Sequence, residues 1–231
     1  MTVGGWASIP RPFAVAHRAG NGLTLAQAAV DAGADVLEAD IWLYRDRLEL
    51  RHEKTLGPLP ILWDRWSLEF GHRPQLELAT LLDSLAPEVE VMLDLKGYPG
   101  SDPAIAARIA AQMDVARPGT PFLVCSQNWT LLEAFRPFPT ALLVHSIGNR
   151  RQLARAWQRL ERDDHDAVSI HVKLLNAETV HALKLRISTI MTWPINDPAT
   201  LEQVLSWGVD GITTDRLDIV TRVHDARTTN T

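Results

Sequence analysis

Short apolar and β-branched runs alternate with segments of helical period along most of the chain. Eight runs read as strands: 13–16, 36–42, 89–95, 122–125, 141–144, 167–171, 187–191 and 209–213. Between and after them, helices are predicted over 25–32, 76–85, 103–113, 130–135, 151–161, 177–183, 198–207 and 218–226. Several carry their own start and stop signals. Gly33 closes the first helix, Asp102 and Pro103 open the third, and Asp197 and Gly208 bracket the seventh.

Strand–helix alternation with short loops predicts a parallel sheet covered by helices. Eight repeats favour closure into a (β/α)8 TIM-type barrel of class α/β over an open doubly wound sheet. No low-complexity linker interrupts the pattern, so residues 1–231 are expected to form one barrel domain. Segment 48–66 breaks the alternation with a further strand-like run, Leu48-Glu-Leu-Arg-His52, and a Pro-containing loop. It is read as a small insertion after the second strand, over one end of the barrel. The polar tail 227–231 is expected to fray.

Composition adds exclusions. With 46% hydrophobic and 22% charged residues the chain has the make-up of a globular domain. A net charge of −5 argues against nucleic acid as a partner. No apolar stretch is long enough to span a membrane, so no stable anchor is expected. Residues 1–13 lack the apolar core of a secretory signal. The single Cys125 excludes an intrachain disulfide and fits a reducing compartment, so a cytoplasmic location is expected. Cys125 lies in an apolar run and reads as a core residue, not a nucleophile.

In a barrel of this kind, chemistry gathers at the C-terminal ends of the strands. The predicted strands end in His17-Arg18, Glu38 with Asp40, Asp94 with Lys96, Ser126-Gln127, His145, His171 with Lys173, Trp193 with Asn196, and Asp215. Glu38 and Asp40 are two apart and therefore share a face. Two carboxylates buried side by side repel and cost several kcal/mol to desolvate unless a cation joins them. A hard divalent ion, Mg²⁺ or Ca²⁺, is the natural partner, with Asp94 as a third oxygen donor. His17 and His52 beside this cluster can serve as general acid and base near neutral pH. Arg18 and Lys96 add fixed positive charge, and Lys96 is one of only four lysines among 23 basic residues. A metal, two imidazoles and two cations suit an anionic, oxygen-rich group such as a phosphodiester.

These residues fall in pieces that resemble the glycerophosphodiester phosphodiesterase family. The pieces are Ala16-His17-Arg18, Gly33-Ala-Asp-Val-Leu-Glu38-Ala-Asp40, Arg51-His52-Glu53-Lys-Thr-Leu56, Met92-Leu-Asp94-Leu-Lys96, Thr192-Trp193-Pro-Ile-Asn196-Asp197 and Gly208-Val-Asp-Gly-Ile-Thr-Thr-Asp215. They span positions 16 to 215 in family order. The resemblance implies a TIM-type barrel that hydrolyses a small-molecule glycerophosphodiester to glycerol 3-phosphate and an alcohol. It implies a divalent metal on Glu38, Asp40 and Asp94, and His17 and His52 as the acid/base pair. Arg18 and Lys96 would neutralise the phosphate, and Trp193 would pack against the substrate at the mouth.

Three departures stand out. The family carries Pro-Glu-Asn-Thr after the His-Arg pair, where this chain has the shorter Ala19-Gly-Asn-Gly-Leu-Thr24. Its third acid is Glu, here Asp94, and its second His is followed by Asp, here Glu53. The first two departures resemble the sphingomyelinase D and phospholipase D toxins, which also have disulfide-bonded loops and a secretory signal, neither of which is expected here. Two other readings therefore accompany the hydrolase: a lyase that acts on lysophospholipids and releases a cyclic phosphate, and a catalytically silent barrel that binds a phosphodiester. Asn21 is either a turn residue or a neighbour of the phosphate. Trp42, Trp63 and Trp66 are read as anchors of the insertion in preference to an acyl pocket.

Overall fold

The structure is a computed structural model that describes residues 9–55, 61–64, 67–70, 75–96, 104–160 and 167–228. Eight strands form the barrel: β1 (Phe13–Ala16), β2 (Val36–Tyr44), β3 (Glu90–Leu95), β4 (Phe122–Ser126), β5 (Ala141–Ile147), β6 (Ala167–His171), β7 (Ile190–Trp193) and β8 (Gly211–Thr214). Each pairs in parallel with the next, and β8 pairs with β1, which closes the ring. The helices α1 (Leu23–Asp31), α2 (Leu78–Ser84), α3 (Ala104–Ala116), α4 (Trp129–Glu133), α5 (Arg150–Leu160), α6 (Ala177–Lys184), α7 (Pro198–Ser206) and α8 (Leu217–Thr228) follow the strands in turn. The fold is a (β/α)8 TIM barrel. Among the described residues, no helix is long and apolar enough to cross a membrane.

Strand alternation divides the apolar residues into two layers. On β2, Leu37, Ala39 and Ile41 belong to the outer core under the helices, and Val36 belongs to the barrel interior. Phe13, Val15, Met92, Leu123, Val144 and Met191 pack with Val36 inside. A side chain at Gly211 on β8 would come within 2.6 Å of the Phe13 ring, so a glycine there lets Phe13 fill the interior. The interior positions nearer the C-terminal strand ends are polar: Glu38, Asp40 and Asp94 succeed Val36 and Met92 at intervals of two.

The helix signals act as read. The Asp197 carboxylate accepts from Thr200 N at 2.8 Å, with Pro198 in the first turn of α7. Gly33 and Gly208, after α1 and α7, have φ of 87° and 81°. Residues 102 and 103 lie outside the described set, as do Trp66, His72 and His165.

Several boundaries differ from expectation. β7 starts at Ile190, not 187, because Ile187 N bonds Leu183 O at 2.9 Å and the buried Ile187 closes the end of α6. β8 starts at Gly211, not 209. There, the Asp210 carboxylate accepts from Ile190 N and from the side chains of Arg11 and Lys184. Residues 76 and 77 form a short strand before α2. Residues 227 and 228 continue α8 instead of fraying, with Arg227 paired to Asp35 at 2.8 Å.

The insertion reaches further than its sequence signal. Strand Arg47–Leu50 returns antiparallel on the end of β2, and Leu76–Glu77 pairs with it in turn. A separate antiparallel sheet joins Lys54–Thr55, Ile61–Asp64 and Ser67–Phe70.

Candidate active site

The turn after β1 organises the site. His17 N extends the barrel ladder to Thr214 O at 2.8 Å. Arg18 then takes a left-handed conformation, φ 57°, and its backbone N–H donates to Glu38 Oε2 at 2.6 Å. Residues 19–21 form a short turn pressed on β2. A Cβ at Gly20 would lie 2.7 Å from Ala39 Cβ, so only glycine allows this approach. The turn delivers Asn21 to Asp40 in a reciprocal pair: Asn21 Nδ2 donates to Asp40 Oδ2 and Asp40 N donates to Asn21 Oδ1, both at 2.8 Å. Asn21 is thus a support for Asp40.

Glu38 and Asp40 point into the barrel from β2, and Asp94 stands beside Asp40 in the register of β3. One oxygen from each of the three lies within 4.8 Å of the others. Glu38 and Asp40 are buried. Lys96, two residues beyond Asp94, places Nζ 2.7 Å from Asp40 Oδ1 and bonds Asp94 Oδ2. Burial, with Asp40 and Asp94 nearby, pushes the Glu38 carboxyl well above its usual range. Burial also raises Asp94, against the pull of Lys96. Asp40 goes the other way. Burial works to raise it, but hydrogen bonds from His52, Lys96 and Asn21 together outweigh burial and hold it below the usual carboxylate range. For Lys96, burial opposes the charge, but Asp94, Asp40 and Glu38 prevail and keep the ammonium protonated.

The two imidazoles flank this cluster in matching ways. His17 Nδ1 lies 2.6 Å from Asp215 Oδ1, and its Nε2 is 3.9 Å from Glu38 Oε2. His52 Nδ1 lies 3.2 Å from Asp40 Oδ2, and its Nε2 is 3.1 Å from Arg18 Nη2 and 3.7 Å from Asp64 Oδ1. A carboxylate only accepts, so these partners assign the Nδ1 proton in both neutral rings and leave Nε2 to exchange a proton. Asp215 is itself held. Asn196 Nδ2 donates to its Oδ2 at 2.8 Å, while Asn196 Oδ1 accepts from Asp215 N and Thr214 Oγ1 at 3.0 Å each. Burial would raise Asp215, but the bonds from His17 and Asn196 outweigh it and lower its pKa.

These groups open on a cavity of about 410 Å³. His17, Arg18, Glu38, His52, Asp94, Lys96 and Asp215 line one side, and Cys125, Gln127, Ser146, Ser169, Trp193 and Thr213 line much of the rest. Trp193 anchors its indole N–H on Ser169 O at 3.2 Å and meets the His171 ring edge-on at 4.9 Å. The remaining strand-end groups lie elsewhere. His145 is buried edge-on against Trp129, 5.2 Å between centroids, and His171 and Lys173 do not line the cavity. Lys54 sits 5.0 Å over the Trp63 ring, inside the insertion. Trp42 donates to Arg51 O at 3.1 Å, an anchoring contact. Cys125 is buried, and its thiol is pushed up by burial and by Asp94 and Glu38, so it stays protonated. Asp215, Asn196 and Asp64 received no role from the sequence, although the first two had been placed at strand ends.

A model of the glycerophosphoryl diester phosphodiesterase family matches residues 189–218, the stretch that carries Trp193, Asn196 and Asp215. The Bacillus subtilis (strain 168) protein named "Putative glycerophosphodiester phosphodiesterase YhdW" is 24% identical over 90% of this chain and 96% of its own length. Among solved structures, an Oleispira antarctica phosphodiesterase in complex with the product sn-glycerol-3-phosphate superposes with a TM-score of 0.76. It is 19% identical over 93% of this chain and 97% of that one. A glycerophosphodiester phosphodiesterase from Thermotoga maritima gives 0.71 at 16% identity, over 91% and 97%. The chain is thus similar to glycerophosphodiester phosphodiesterases over nearly its whole length, with the family model itself matched at residues 189–218.

The donor set of this site fits a divalent metal. Glu38, Asp40 and Asp94 offer hard oxygen ligands within 4.8 Å of one another, with no sulfur or imidazole among them. The change from Glu to Asp at position 94 keeps that donor chemistry. In the compact loop at 19–24 the Asn21–Asp40 pair fixes one carboxylate of the triad from outside it.

Proposed function

We propose that this glycerophosphodiester phosphodiesterase relative hydrolyses a small glycerophosphodiester to glycerol 3-phosphate and an alcohol. The observation that carries the reading is the matched pair of imidazoles. Each has Nδ1 on a carboxylate and turns Nε2 toward the phosphate-binding side, where that of His52 meets the Arg18 guanidinium, and the two stand beside a three-acid cluster. That is the disposition a general acid and a general base need around one phosphorus.

Arg18 and Lys96 would bind the phosphodiester. A site with three acids repels an anion unless positive charge offsets them, and these two side chains lie within bonding distance of the cluster. A divalent ion on Glu38, Asp40 and Asp94, Mg²⁺ or Ca²⁺, supplies further positive charge to the phosphate oxygens when bound. One imidazole of His17 and His52 removes a proton from the attacking water, and the other protonates the departing alcohol oxygen. Asp215 and Asp40 keep each ring in the tautomer that leaves Nε2 available, and they stabilise the imidazolium when it forms. Trp193 forms part of the wall against which the substrate packs.

A lyase reading draws on one feature, the compact loop whose Asn21 grips Asp40. In that case a substrate hydroxyl replaces water and a cyclic phosphate forms first. The test is ³¹P NMR of the purified protein with glycerophosphocholine and with a lysophospholipid, each with Mg²⁺, with Ca²⁺ and with EDTA. Metal-dependent release of glycerol 3-phosphate is expected. A cyclic phosphate from the lysophospholipid would favour the lyase, and no turnover of either would remove the enzymatic reading.

A further inference from the structure

Arg51 immediately precedes His52, yet its side chain points away from the cavity that His52 lines. Both Arg51 and Glu49 have side chains only 1% exposed, and Arg51 Nε donates to Glu49 Oε2 at 2.9 Å. The guanidinium lies against two rings of β2, 5.1 Å from Trp42 and 5.9 Å from Tyr44. Its Nη1 donates to the backbone carbonyl of Glu53. Its Nη2 is buried with no hydrogen-bond partner among the described residues.

The backbone of Arg51 is fixed as firmly as its side chain. Arg51 N donates to Asp40 O at 3.0 Å, and Arg51 O accepts from Trp42 Nε1 at 3.1 Å. The guanidinium reaches over the intervening residue to Glu53 O, so Arg51 holds the chain before His52 by its backbone and after it by its side chain. A buried ion pair is a poor way to stabilise a hairpin. Apolar residues of like volume hold it as well or better, because two charges must be desolvated and one donor here goes unpaired. What an apolar residue lacks is a fork that can bond a carboxylate and a carbonyl at once.

We propose that Arg51 is the positioning residue for His52, its backbone fixed on β2 before the ring and its guanidinium, braced on Glu49, holding the carbonyl of Glu53 after it, so that the ring stays on Asp40 with Nε2 at the cavity. The proposal rests on the reading of His52 as an acid/base group. An imidazole displaced by about 1 Å loses on the order of 10²-fold in rate without losing the substrate, so the effect belongs in kcat.

The test compares Arg51→Met, Arg51→Lys and the double variant Glu49→Leu with Arg51→Met, which removes both buried charges and protects the fold. The folded double variant should lose at least about 10-fold in kcat on glycerophosphocholine, with KM within about threefold. Arg51→Lys, which keeps the charge without the fork, should fall between it and the unaltered protein. In histidine-labelled protein the His52 ring signals should broaden or shift while those of His17 hold. A kcat within twofold of the unaltered protein, or equal disturbance of both rings, would overturn the proposal. In the unaltered protein the Arg51 Nε–H signal should be protected from solvent exchange, and exchange at the rate of a free side chain would also overturn it. The two NMR readouts need no turnover, so they judge the clamp even if the proposed reaction itself fails.

Discussion

Strands β1, β2, β3 and β8 bring His17, Arg18, Glu38, Asp94, Lys96 and Asp215 to the cavity, whereas β4 to β7 bring Cys125, Gln127, Ser146, Ser169 and Trp193. The first set is ionisable throughout and cross-braced. Nearly every polar group in it holds or is held by another, often from a distant part of the chain. The second set is uncharged, and its backbone ties serve the barrel wall, as with Trp193 on Ser169 O. One closed ring of strands thus carries a charged half and an uncharged half. The difference teaches where energy has been invested. Buried Glu38 and Asp40 cost desolvation that only partners can offset, and those partners are Lys96, Asn21, the Arg18 backbone and His52.

The sharpest way to break this contrast is to remove the imidazoles. His17→Ala and His52→Ala should each lower turnover at least ~10²-fold, measured as kcat on glycerophosphocholine. Full activity in either would take that ring out of the reaction. Next comes Asp215→Asn. An amide can donate to Nδ1 and so favours the wrong tautomer of His17, and a loss on the order of 10²-fold is expected with little change in KM. A loss seen only in KM would mean that Asp215 acts on the substrate instead.

Glu38→Gln probes the cost of the charged half in the metal-free protein. Its carboxyl is raised by burial and by Asp40 and Asp94. A raised carboxyl penalises the folded state as pH climbs above the unfolded pKa, and the penalty disappears at lower pH, where the acid is protonated in both states. Glu38→Gln should therefore raise the melting temperature at neutral pH, by about 2–4 °C per kcal/mol relieved. The gain should vanish near pH 4, and activity should be lost throughout. A melting temperature that falls at neutral pH would show that the Glu38 charge is fully compensated. The smallest effects belong to the neutral half. Cys125→Ser and Ser169→Ala should change kcat by less than about threefold, since neither carries charge to the reacting centre. A collapse of kcat in Cys125→Ser, with the fold intact by circular dichroism, would overturn the division into halves.

The sequence made the barrel legible because its strands are short apolar runs punctuated by glycine and capping residues, signals that act within a few positions. It made the charged half legible because Glu38 with Asp40, and Asp94 with Lys96, alternate on single strands. What it concealed depends on contacts between remote segments. His17 and Asp215 are separated by 198 positions and meet only because β8 returns to β1. Asn21 reads as a turn residue until Gly20 is seen to press the turn against Ala39. Ile187 has the character of a strand residue but is spent on closing α6. The insertion was half legible. Its first strand shows as an apolar run, while two-residue strands such as Lys54–Thr55 exist only through their pairing.

On the proposed mechanism the charged half directs water at phosphorus. ³¹P NMR of glycerophosphocholine turnover in ¹⁸O-enriched water with Mg²⁺ tests it most directly. Glycerol 3-phosphate is expected, its phosphorus signal carrying the isotope shift of one new ¹⁸O, abolished by EDTA and absent in His17→Ala. Product with an unshifted phosphorus, or no product with any divalent ion, would contradict it.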